Sequence, residues 1–97
     1  MSDYVVAFAK VHGLEYVQDK MFNVIIRKSA SKGYEEYDPL MLQGHLDMVC
    51  EKNPDVEFDF QTQGIETYVD EEGKLRAKGT TLGADDGMGV AEMLAIL

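Results

Sequence analysis

Basic residues are scarce in this chain of 97. Nine Lys and Arg stand against 18 Asp and Glu, for a formal charge of −9. A phosphate backbone would be repelled by such a surface, so no nucleic-acid partner is expected. Cysteine is nearly absent. Cys50 is the single example, which excludes an internal disulfide and fits a reducing cytoplasm. With no second Cys near it, it reads as a small, partly buried side chain rather than a metal ligand. No apolar run approaches the roughly 20 residues that cross a bilayer, so no membrane partner is expected. The opening Met1-Ser2-Asp3-Tyr4 has neither a basic region nor a small-residue cleavage site, and no secretory signal is expected there. Internal repeats and low-complexity tracts are also missing.

What remains is an ordinary globular composition, 45% apolar and 28% charged. Its length allows one domain at most, small for an α/β enzyme. The acidic clusters Glu35-Glu36-Tyr37-Asp38, Asp55-Val56-Glu57-Phe58-Asp59 and Asp70-Glu71-Glu72 read as solvated loops or turns.

The pattern predicts an α/β fold with a mixed sheet flanked by helices. Val5, Val6, Phe8, Ala9 and Val11 form a helical stripe, with Ser2 or Asp3 as N-cap and Gly13 as the stop. His12, at that helix end, suits the helix dipole. Leu14, Tyr16 and Gln18 alternate as a strand does, and Phe22 to Lys28 is a stronger strand rich in β-branched residues. Ser29 to Asp38 reads as a loop. Pro39 then opens a short apolar strand, Leu40-Met41-Leu42, expected to be buried on both faces of its sheet. Asn53-Pro54-Asp55 marks a turn, and Ile65 to Asp70 with Lys74 to Ala77 a small hairpin. Gly87 to Leu97 reads as a buried helix, with no polar residue to satisfy its last carbonyls. That ending suggests a portion of a longer protein, or a surface covered by partner chains.

Two motifs carry chemistry. The run Leu40-Met41-Leu42-Gln43 ends in Gly44-His45-Leu46-Asp47, at the strand edge where open α/β folds collect ligands. Gly44 lets the backbone leave the strand. His45 can present a ring nitrogen to a metal, and Asp47 can orient a ligand ring or tune a water. An ordinary turn with a local hydrogen bond is the competing reading. The second motif is Gly83-Ala84-Asp85-Asp86-Gly87. An acidic pair at a helix start can simply cap it, but a carboxylate on a tight turn can also bridge two cations, as in two-metal hydrolases. Gly79-Thr80-Thr81-Leu82-Gly83 lacks the ending of a phosphate-binding loop, Gly87-Met88-Gly89 lacks the third glycine of a dinucleotide turn, and Asp70-Glu71-Glu72-Gly73 is no EF-hand loop.

Taken together and in this order, the motifs resemble the M20 family of metallopeptidases, in its aminoacyl-histidine dipeptidase (Xaa-His dipeptidase) branch. The resemblance runs through Asn23 to Lys28, Leu42 to Asn53, and Lys74 to Gly87 into the last helix. It implies a zinc-peptidase catalytic domain holding two zinc ions (Mn or Co being possible), which hydrolyses dipeptides in the cytoplasm. By the same resemblance His45 and Asp85 are metal ligands, Asp85 bridging the two ions. Asp47 is the catalytic aspartate behind the histidine, and Asp86 is structural. The family's proton-accepting glutamate, its remaining ligands and its lid domain find no match in these residues. The expectation is therefore that residues 1–97 are a partial, N-terminal portion of the catalytic domain and inactive alone. A non-catalytic assembly domain on the same scaffold is the alternative, with homo-oligomers formed through an exposed apolar surface or strand edge.

Overall fold

The computed structural model of the chain describes all of residues 1–97. Helix α1 (Ser2–Val11) leads into strands β1 (Glu15–Gln18) and β2 (Val24–Arg27). A long connection without regular structure follows, then strands β3 (Thr67–Val69) and β4 (Leu75–Ala77), and finally helix α2 (Ala84–Ile96). The class is α/β, as expected. Each sheet is a two-stranded antiparallel hairpin, β1 with β2 and β3 with β4.

The first hairpin and α1 form the packed part of the molecule. Val5, Val6 and Ala9 share one helical face and are buried against the hairpin, whose register pairs Glu15 with Arg27 and Gln18 with Val24. Gly13, at φ 65, ends α1. The Leu14 and Gly13 N–H groups reach back to the Ala9 and Lys10 carbonyls, which satisfies the end of the helix. His12 is the C-cap residue, as expected of a helix-end histidine, and its ring also stacks on Phe8 at 4.2 Å.

Capping at the other end differs from expectation. Neither Ser2 nor Asp3 caps the helix; the N-cap position is Met1, with no side-chain bond. The Ser2 hydroxyl instead donates to the Phe22 carbonyl at 2.7 Å and accepts from Gln18 Nε2 at 2.8 Å. It ties the helix start to the hairpin, where Asp19 accepts bonds from the Met21 and Asn23 N–H groups.

Three further expectations are corrected. Leu40-Met41-Leu42 is not a buried strand: it makes no backbone–backbone hydrogen bond, and Leu40 and Met41 are 83% and 85% exposed. A strand needs neighbours to pair with, and none of the four strands lies beside it. Helix α2 is also largely uncovered, with Val90 its one buried residue. Its last turn nonetheless finds a cation, since Lys28 Nζ donates to the Ile96 carbonyl at 3.0 Å. Cys50 is exposed rather than partly buried.

The surface reflects this openness. The chain exposes 8216 Å², about half as much again as the roughly 5,600 Å² typical of a folded monomer of its mass. Its radius of gyration is 16.9 Å, against about 12.5 Å for a compact chain of this length.

Candidate metal centre

The two motif-bearing turns meet. His45 Nε2 lies 3.0 Å from Asp85 Oδ1. On the other side of the ring, Nδ1 lies 3.1 Å from the Asp47 carbonyl and 3.3 Å from its carboxylate. The three residues named from sequence thus form one cluster, with the imidazole between the two aspartates. Acidic clusters elsewhere and Cys50, whose thiol contacts the Met48 carbonyl, contribute nothing to it.

Local backbone explains the Asp85 side. Gly83 adopts φ 83 and ψ 17, a left-handed conformation costly for any residue with a Cβ. A Cβ there would also stand 2.9 Å from Met48 Sδ, on the segment that follows the histidine. Asp85 and Asp86 then depart from helical geometry, joined by a cis peptide, before the regular helix continues. Neither carboxylate makes a side-chain capping bond, so capping is not what these acids do. The Asp86 carboxylate lies between Gly44 and Gly89, so close to both that a Cβ at either would run into it. Gly44 is therefore needed for space: it is absent from the residues with positive φ, contrary to the role expected of it at the strand exit. Gly87 likewise lacks a positive φ, and nothing crowds it.

The electrostatics favour the protonated imidazole. The Asp85 hydrogen bond and, next, the Asp47 carbonyl raise the His45 pKa above its ordinary value. The ring is half exposed, while the Asp47 and Asp85 side chains are almost fully so. A shallow cavity of about 320 Å³ runs over the cluster, lined also by Met48, Val49, Thr81 and Leu82.

The donor set fits zinc in kind. Two ligands on one tetrahedral zinc, each about 2.0–2.1 Å from it, stand about 3.3 Å apart. The 3.0 Å between Nε2 and Oδ1 is within a few tenths of that. The Nδ1 contact with the Asp47 carbonyl is the outer hydrogen bond that metal-bound histidines usually make. In number the set falls short, because no three His, Cys, Asp or Glu side chains gather closely enough to hold a metal ion. Sequence reasoning misses Thr81 and Met48, which connect the two turns. Neither residue type signals such a role, and only their tertiary placement reveals it.

No family model matches the chain. It is 45% identical over all 97 residues to the cytosol non-specific dipeptidase of Escherichia coli (strain K12). Among solved structures it matches the aminoacylhistidine dipeptidase from Vibrio alginolyticus, with a TM-score of 0.89 and 43% identity over 98% of the chain. The chain spans 20% of the first protein and 19% of the second.

Proposed function

We propose that this chain, homologous along its length to dipeptidases, supplies part of the active site of a zinc-dependent dipeptidase of the M20 type, acting on Xaa-His and related dipeptides. The observation that carries the reading is the 3.0 Å contact between His45 Nε2 and Asp85 Oδ1, made by residues far apart in sequence. His45 and Asp85 would hold metal, with Asp85 shared between two ions. Asp47 holds the imidazole by its far nitrogen and keeps Nε2 turned toward Asp85. Zinc held there would supply Lewis acidity, the chemistry that acidifies a water and polarises a carbonyl. A catalytic zinc takes about three protein ligands besides water, so the complete centre draws further ligands, and a proton-accepting carboxylate, from outside these residues. A cytoplasmic location is part of the same proposal, in keeping with the cytosolic relative.

The test compares zinc content and Xaa-His hydrolysis for the 97-residue chain and for a longer polypeptide that carries it. The short chain is expected to be inactive and the longer one active. A longer polypeptide that binds no metal and hydrolyses no dipeptide would refute the reading. The large exposed surface favours one further possibility, assembly of several copies through the apolar 40–42 segment. Sedimentation as a monomer at micromolar concentration would dispose of it.

A further inference from the structure

The His45 and Asp85 turns lie on segments distant in sequence, and few bonds hold them side by side. Segments 49–53 and 79–81 run antiparallel. Asn53 N–H donates to the Gly79 carbonyl at 2.8 Å and Thr81 N–H to the Glu51 carbonyl at 2.9 Å, while Lys52 faces Thr80 in an isolated bridge. Between this ladder and the metal centre lies one more hydrogen bond: the Thr81 hydroxyl donates to the Val49 carbonyl at 2.7 Å. The Glu51 N–H reaches the same hydroxyl oxygen at 3.4 Å. Thr81 also lines the cavity that His45, Asp47 and Asp85 share.

We propose that Thr81 is a positioning residue of the metal centre, its hydroxyl bridging to the Val49 carbonyl so that the His45 turn stays against the Asp85 turn. The proposal rests on the reading of His45 and Asp85 as ligands. Burial cannot fix their separation, since the Asp85 side chain is 95% and that of His45 50% exposed. The course of the two backbones must fix it. Past the Thr81–Val49 bond, the residues leading back to His45 make no backbone–backbone hydrogen bond of their own. Without the hydroxyl, the nearest remaining backbone hydrogen bond between the two segments is Thr81 N–H to the Glu51 carbonyl, further from the histidine, and only side-chain contacts hold the turns beyond it. The segment from His45 to Val49 can then swing about that point. A few tenths of an ångström matter when ligands must stand about 3.3 Å apart.

Two substitutions separate hydroxyl from shape. Thr81→Val keeps the branched side chain and removes the donor, whereas Thr81→Ser keeps the donor and removes the methyl. In the full chain, NMR would follow NOEs between the His45 ring and the Asp85 β-protons, with the α1, β1 and β2 amide shifts reporting the fold. A zinc titration against a chromophoric chelator, on a longer polypeptide that carries this chain and supplies the remaining ligands, gives a second readout. Thr81→Val is expected to lose the NOEs while the α1–β1–β2 shifts stay in place, and to weaken zinc binding about tenfold, a typical loss for an outer-shell partner. Thr81→Ser is expected to keep both. Retention of the NOEs in Thr81→Val overturns the proposal. So does loss of dispersion throughout the chain, which would make the hydroxyl a general structural bond, and so does a Thr81→Ser variant that behaves like valine. If the unsubstituted longer polypeptide takes up no zinc, that counts against the ligand reading alone, and the NOE comparison still decides the role of Thr81.

Discussion

Asp85 reaches His45 because the chain turns at Gly83, and Gly83→Ala tests that dependence. With φ at 83, an L-residue costs about 1–2 kcal/mol relative to glycine. The added methyl would lie 2.9 Å from Met48 Sδ, so the thioether must leave its position, at about 0.5–1.5 kcal/mol if it is forced off a rotamer. Together these weaken the turn by roughly 2–3 kcal/mol, or about 30- to 150-fold in a local opening equilibrium. Hydrogen exchange at the Gly87 amide reads that equilibrium directly, because this N–H donates to the Gly83 carbonyl across the turn at 3.0 Å. Gly73→Ala is the control. Its φ is 78, and no atom lies within 4 Å of the new methyl, so it carries the backbone cost without the collision. Exchange around Gly73 should accelerate about 5- to 30-fold, leaving the Gly87 amide and the His45–Asp85 contact untouched. If Gly83→Ala leaves the Gly87 exchange rate unchanged, the left-handed turn does not hold Asp85, and the contact with His45 must have another cause.

Other outcomes follow from the same structure. Ala9 is completely buried between α1 and the first hairpin, so Ala9→Leu should overpack that contact and destabilise the chain by about 1–3 kcal/mol, measured by urea unfolding. In the second hairpin, Arg76 Nε and the Lys74 N–H hold the Asp70 pKa below its ordinary value. A depressed folded-state pKa contributes stability above the ordinary carboxylate pKa, and that stability is lost as pH falls through the folded value. Arg76→Met should therefore make the β3–β4 amide shifts collapse at a higher pH during acid titration; an unchanged midpoint would count against the pairing. In a longer polypeptide that hydrolyses dipeptides, His45→Ala or Asp85→Ala should abolish turnover and lower zinc content, while Cys50→Ser should alter neither.

Much of the fold was legible because local rules decide it. The apolar face of α1, the stop at Gly13, the β-branched run of β2 and the turn between β3 and β4 all emerge where periodicity and turn chemistry place them. The failures share one cause. Leu40-Met41-Leu42 has the composition of a central strand, and α2 that of a buried helix. Burial, however, depends on neighbours that composition cannot name; here no strand pairs with 40–42 and no other element packs closely on α2. Ser2 has the identity of a cap, yet the Phe22 carbonyl and Gln18 amide compete for its hydroxyl and win. At the candidate site, His45, Asp47 and Asp85 lie together, and they stood out in the sequence because metal chemistry restricts the residue types it can use. Thr81 and Met48 could not, since a hydroxyl on a carbonyl or a thioether over a glycine becomes meaningful only once the chain has folded.

The two shortages of this chain bear on one another. One is of cover: apolar residues at 40–42 stand in solvent immediately before the candidate metal centre, on a segment whose backbone hydrogen bonds are unmade. The other is of ligands, since His45 and Asp85 cannot complete a zinc sphere. Unpaired backbone and exposed leucines are stabilised by a neighbouring strand, and a strand laid along 40–42 would end beside His45, at the edge where ligands collect. Further ligands carried on that neighbour, or on the turn leaving it, would arrive within reach of Asp85. Protection of the 40–42 amides and gain of zinc stoichiometry should therefore appear together in any longer polypeptide or assembly, and either change without the other would separate the fold problem from the metal problem.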